Sequence, residues 1–375
     1  MDNVTHSLFA LTLARTPLSR AGRGTTAALL VASNAPDVDF VALVGGSANY
    51  LKWHRGPTHG PLGVIGLGLL SAGLVWAGRR LYDARLATAP RAQLEDENAS
   101  FRMLAAAGVI GAFLHVLMDL PTSYGTRILS PFDWHWFAVD LMPIVDIYLL
   151  AALIAGFGFG RRSVAARQRN ASIVLTLMAA NYGVRAVSHA QALAMVPRLF
   201  GPTLAGPCDP EPADPAGPLD IWPRTQATTP TAGTRCLVDV AAMPSFTSPF
   251  RWQVVLRLSN AYELRDVDLL DAQWRQPQDD LEAPWRTSLR YPNVWTPTVQ
   301  RAAATDLGRV FLGFSRFPAA RSALDAQGVT TVRWTDVRFA GGGFALEQRR
   351  PGPDIFTATV RISPDGQILQ QRLGR

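Results

Sequence analysis

Four apolar runs limit what this chain can fold into. Residues 61–78, 103–120, 141–160 and 171–196 each approach the length of a membrane-crossing helix, about 20 residues. Lipid offers no partner to a backbone N–H or C=O, so such segments cross as helices. Arginines punctuate the runs. Residues 79–102 carry Arg79, Arg80, Arg85, Arg91 and Arg102, and residues 161–170 carry Arg161, Arg162, Arg167 and Arg169. Positive charge collects on the cytoplasmic side of a membrane. Both loops fit that side in an up-and-down order. Residues 54–60 and 114–140, and everything after residue 197, then share the opposite side.

The composition agrees with a membrane protein. Of 375 residues, 48% are apolar, and the formal charge of +7 is almost all arginine, with Lys52 as the single lysine. The arginines sit beside apolar runs, so nucleic acid is not an expected partner. The first 45 residues read differently. The apolar stretch at 8–13 is too short to span. Residues 25–45 are broken by Asn34-Ala35-Pro36-Asp37-Val38-Asp39, where proline ends a helix. Two carboxylates at lipid depth are costly unless they face a cavity or a ligand. Half-length or re-entrant helices are expected here. Asp2 and His6 interrupt the pattern of a cleaved leader.

Residues 197–235 read as a linker rich in Pro, Gly and Thr. Beyond it, residues 251–258, 329–339 and 355–362 are β-like. Residues 299–317 suggest one amphipathic helix, and Asp365-Gly366 a hairpin turn before a final strand. The expected fold is an all-α multi-span membrane domain over 1–196, with short or re-entrant N-terminal helices. A smaller α+β domain with an antiparallel sheet follows over 236–375, on the non-cytoplasmic side. Cys208 and Cys236 could be a disulfide in an oxidising compartment, or two unpaired small residues.

Five of the six histidines lie in the first 135 residues. Asp2 and His6 are four apart, as are His115 and Asp119, and on a helix that spacing shares a face. Asp37 and Asp39 flank one residue at a proline-broken turn. His54 and His59 flank Gly56-Pro57, with Arg55 between them. Singly, each has a plainer explanation: an ion pair, an N-cap, a membrane-interface residue. Together they would bury several ionisable groups in an apolar region, at a cost of several kcal/mol each. A divalent metal would satisfy them jointly. Mixed His and Asp donors fit zinc, and also manganese or iron. So many donors suggest more than one ion. Arg55 could pair with an anionic substrate. Asp140 and Asp146 suit supporting roles, and Arg185 with His189 an interhelical polar contact.

Met1-Asp2-x-x-Thr5-His6, Pro36-Asp37-x-Asp39, His54-Arg55-Gly56-x-Thr58-His59 and His115-x-x-x-Asp119 occur in order. Thr122-x-Tyr124-Gly125-Thr126 and Pro131-Phe132 continue them. Over roughly residues 1–160 this resembles the YdjM-like inner-membrane proteins, described as membrane-bound metal-dependent hydrolases. The resemblance extends distantly to the zinc-dependent phospholipase C and P1-type nuclease group. It implies His6, one of Asp37 or Asp39, His59, His115 and Asp119 as ligands. A free Asp37 or Asp39 would be the general base, and His54 and Arg55 would sit near substrate. Gly60 stands where that family commonly has serine, an exchange expected to be harmless. The resemblance implies a multi-pass protein of the bacterial inner membrane, and the arginine pattern makes its C-terminal domain periplasmic in expectation. The leading expectation is a hydrolase of phosphoesters, including phospholipid headgroups, acting through metal-activated water. The alternatives are a metal-stabilised scaffold whose outer domain binds a partner, and a transporter.

Overall fold

The computed structural model describes residues 1–85, 99–159, 163–201, 204–208, 235–271, 288–339 and 356–374. Two compact units result, one of Met1–Val41 with Arg55–Val184, the other of Ala42–His54 with Arg185–Arg375. The longer helices in chain order are α1 (Asn3–Leu13), α2 (Thr25–Ala32), α3 (Ser47–Trp53), α4 (Pro61–Arg85), α5 (Phe101–Asp119), α6 (Ile147–Gly158) and α7 (Val164–Ala194).

The first unit is helical. Asp2 starts α1, its Oδ1 accepting the amides of Val4 at 3.1 Å and Thr5 at 3.0 Å. That is N-capping, so Asp2 is committed to the backbone rather than to His6. Helix α2 and the 3-10 segment Pro36–Gly45 form a bent pair, angled by 42°, as a broken span or a re-entrant loop would be. Helices α4, α5 and α7 are long and apolar enough to cross a membrane. Helix α5 lies at the centre, packing on α4 and α2. The α4–α5 crossing needs glycine: a Cβ on Gly108 would stand 2.2 Å from the Gly68 carbonyl oxygen. Small residues give helices in lipid this close approach. Ala10, Ala28, Leu29, Ala72, Leu104 and Ala107 fill the space between α1, α2, α4 and α5.

The expected span at 141–160 is shorter than its apolar run suggested. Helix α6 has 12 residues, about 18 Å. Asp146 caps it, accepting the Leu149 amide at 2.8 Å. The residues before it are not helical, with Met142 bridged to Thr122 and a bend at 144–145.

The second unit holds two four-stranded antiparallel sheets where one sheet was expected. The first runs β1 (Leu237–Pro244), β2 (Arg251–Leu258), β3 (Ala261–Asp268) and β4 (Leu289–Pro292). The second runs β5 (Pro318–Leu324), β6 (Thr330–Asp336), β7 (Thr357–Ile362) and β8 (Ile368–Leu373). Helix α7 continues into this unit and leads to α8 (Val196–Phe200), which packs with Trp252, Val254 and Leu256. The amphipathic stretch at 299–317 is two helices, α9 (Pro297–Ala303) and α10 (Asp306–Phe314). Thr305 divides them by capping α10 through the Gly308 amide at 3.1 Å. Helix α3 packs against α10. The expected turn at Asp365-Gly366 is present, with Gly366 at φ 89° between β7 and β8. Arg185 donates to the Ser245 carbonyl at 3.2 Å, and the His189 ring lies 5.3 Å from that of Trp252. Most of the expected linker, at 209–234, lies outside the described residues. Cys208 and Cys236 on either side of it form a disulfide.

Candidate metal centre

Four side chains from three segments converge at the C-terminal end of α5. Asp37 comes from the 3-10 segment after α2. His59 comes from the turn before α4. His115 and Asp119 come from one face of α5. One donor atom from each lies within 4.8 Å of all the others. His59 Nε2 is 3.7 Å from Asp37 Oδ1 and 3.5 Å from Asp119 Oδ2. His115 Nε2 is 3.5 Å and 3.4 Å from the same two oxygens. These separations are long for hydrogen bonds. They match the edge of a tetrahedron of donors about 2.1 Å from a central ion, which is about 3.4 Å.

Tautomers support the same picture. His115 Nδ1 donates to the Ser33 carbonyl at 2.7 Å. A carbonyl can only accept, so the proton sits on Nδ1 and the Nε2 lone pair points into the cluster. Metal-binding histidines are oriented by this kind of outer bond. His115 Nε2 and Asp119 Oδ2 are buried with no hydrogen-bond partner, while Asp119 Oδ1 is paired with Arg55. Groups left this way inside a protein are costly unless something charged or polar joins them. The donor set thus fits a divalent ion. His59, His115 and Asp119 have fully enclosed side chains, while that of Asp37 is 19% exposed. The cluster therefore opens toward solvent at Asp37.

The other sequence-derived candidates lie around or apart from this group. The His6 ring stacks on His115 with centroids 3.8 Å apart, and its Nε2 is 3.5 Å from Asp119 Oδ1. It adjoins the four donors without being among them. Asp39 accepts the Arg55 amide at 2.6 Å and lies 3.9 Å from His59 Nδ1. His54 belongs to the second unit, its ring 3.3 Å from the Tyr50 hydroxyl. Arg55 is buried, with Nη2 3.1 Å from Asp119 Oδ1. Asp140 is buried with φ 60° in the loop leading to α6.

One supporting residue had no signal in the sequence. Arg127 lies buried between Trp134 and Trp136, 5.2 Å and 4.7 Å from their ring centres. Burial pulls its pKa down to about 10. Its amide donates to the Arg55 carbonyl at 3.2 Å, tying the loop after α5 to the histidine loop. Nearby, Asp133 is held below the usual carboxylate range by the His135 backbone N–H and then by the His135 ring.

Gly60 is a correction. A Cβ there would lie 1.6 Å from the Ser130 carbonyl oxygen. Serine in its place, expected to be harmless, cannot fit without moving the backbone of that turn.

The N-terminal helical unit and its metal-ready cluster can be set beside known proteins. The YdjM inner membrane protein family matches residues 1–192. The uncharacterized protein YfhP of Bacillus subtilis (strain 168) is 27% identical over 128 residues, 34% of this chain. That match spans 34% of the relative's own length. No solved structure matches the chain. Over more than half of its length, from the capped N-terminus through the cluster and into α7, the chain belongs to the YdjM inner membrane protein family.

Proposed function

We propose that the chain is a membrane-embedded, metal-dependent hydrolase of phosphoesters, with zinc as its ion and lipid headgroups among its substrates. The observation that carries the reading is the four-donor cluster of Asp37, His59, His115 and Asp119, set 3.4–3.7 Å apart and open at Asp37. When bound, the ion would polarise a phosphoryl oxygen and make water a nucleophile at neutral pH. With His59, His115 and Asp119 holding the ion and the fourth position left to water, Asp37, the donor that solvent reaches, would take the proton of the attacking water. The new bond joins that oxygen to phosphorus, the ester P–O bond breaks, and the leaving oxygen takes up a proton. His115 stays in one tautomer through Ser33 and so presents a fixed donor.

The membrane setting supports a lipid substrate. Val38, Phe40 and Val41 beside Asp37 are exposed apolar side chains, as expected of a segment touching lipid. The arginines Arg79 and Arg80 lie in the last turns of α4, and the cluster sits at the far end of α5. Positive charge on the cytoplasmic side would place the cluster at the extracytoplasmic face of the inner membrane. A disulfide between Cys208 and Cys236 suits the same side for the C-terminal unit.

A second reading has its own support. Four protein donors would close a tetrahedral site, and closed sites are structural. The chain would then be a metal-stabilised scaffold. Assay of the purified protein on a chromogenic phosphodiester and on phospholipid micelles separates the two. Zinc-dependent turnover that is lost in Asp37→Asn supports the hydrolase. Bound zinc that raises the melting temperature without any turnover supports the scaffold.

A further inference from the structure

Arg55 has more ties than any substrate-binding arginine needs. It is 5% exposed. Its amide donates to Asp39 Oδ2 at 2.6 Å. Its Nη1 donates to the Gly125 carbonyl at 2.9 Å, and its carbonyl accepts the Arg127 amide at 3.2 Å. The guanidinium lies 4.8 Å from the Tyr124 ring centre. Three segments are therefore joined at one residue: the Asp37–Asp39 turn, the histidine loop and the loop after α5. Its backbone is in the left-handed region, with φ 50°. A side chain other than glycine persists there only where its surroundings dictate it, and such positions gather at functional sites.

Asp119 shows what the guanidinium does. The two oxygens of that carboxylate face different neighbours. Oδ2 looks toward His59 and His115, at 3.5 Å and 3.4 Å. Oδ1 looks toward Arg55 Nη2 at 3.1 Å, His6 Nε2 at 3.5 Å and the α-amino group of Met1. The Arg55 charge is thus already beside Oδ1. A second divalent ion there would have to sit against the guanidinium.

The structure assigns Arg55 the role of a positioning residue: it holds Asp119 Oδ1, presents Oδ2 to the other three donors, and makes this a site for one ion. This rests on the metal reading of the cluster. It departs from a role in binding an anionic substrate, because the guanidinium is engaged with a ligand carboxylate and a backbone carbonyl. Outer partners of ligating carboxylates commonly change metal affinity by about 10–100-fold when removed.

The test is zinc binding by the full-length protein in detergent, measured by competition with a chromophoric chelator and by elemental analysis. The wild type should saturate at one zinc per chain. Arg55→Gln should bind zinc about 10–100-fold more weakly, and Arg55→Lys, which keeps the charge beside Oδ1, should recover most of the loss. Where a phosphodiesterase rate is measurable, kcat at limiting zinc should fall and KM should stay within twofold. Two or more ions in the saturated wild type overturn the assignment. So does an Arg55→Gln variant with unchanged or tighter zinc affinity, or one in which only KM rises. Should Arg55→Gln not fold, the wild-type stoichiometry and Arg55→Lys decide alone, a lysine variant as weak as zinc-free protein counting against the role. A wild type that binds no zinc defeats the metal reading itself, whereas one tight zinc with no effect at Arg55 defeats this assignment only.

Discussion

His115 and Asp119 are one helical turn apart, and the burial of α5 is what makes them chemically useful. Both are within 1% of full enclosure. In water their charges and lone pairs would be solvated, and four donors would have no reason to converge. Inside the helical unit the same donors are left facing each other, and Ser33 fixes which ring nitrogen of His115 is free. The turn that delivers His59 is equally constrained. Replacing Gly60 by alanine places a Cβ on the Ser130 carbonyl oxygen. Forced overpacking of this kind costs about 1–3 kcal/mol. Thermal unfolding of Gly60→Ala in detergent should show a clear drop in melting temperature, accompanied by weaker zinc binding because His59 shifts. An unchanged melting curve would mean that the Ser130 turn does not press on Gly60.

The helices divide between those that cross and those that position. Helices α4 and α5 make the close crossing at Gly68 and Gly108, and α5 carries two donors at its end. A leucine at Gly108 should separate the pair, lower stability and displace His115 and Asp119 together. Circular dichroism melts and zinc titration on Gly108→Leu would read both effects. Retained stability with normal zinc affinity would contradict the packing. Much of this was legible in sequence. Apolar length and arginine punctuation show α4, α5 and α7, and the interruption at Asn34–Asp39 shows the bent pair with α2. Helix α6 was overread because an apolar run carries no mark of where Asp146 caps. In the second unit, β2 was visible from its Val and Trp content. Strands β1, β3 and β5 were not, since Ala-rich or charge-bearing strands take their identity from pairing partners. Among the donors, the i, i+4 pair on α5 was readable. Which of Asp37 and Asp39 joins it was not, because the Arg55 amide settles that from another segment.

At the scale of the whole chain, a helical unit with a metal-ready end is joined to a β-rich unit closed by Cys208–Cys236. The bridge closes a separation of 28 residues, for which removal typically costs about 2–4 kcal/mol. Alkylation in intact cells tests the compartment as well. Cys208 and Cys236 should resist a thiol reagent until reduced, while free thiols before reduction would contradict an extracytoplasmic C-terminal unit. The proposed chemistry requires the cluster to hold an ion. Elemental analysis of the purified protein tests that most directly, with His115→Ala and Asp119→Ala prepared alongside. The wild type should carry stoichiometric zinc or another divalent metal, and either variant little. A metal-free wild type that takes up no added zinc, or the same metal content in all three, would contradict it.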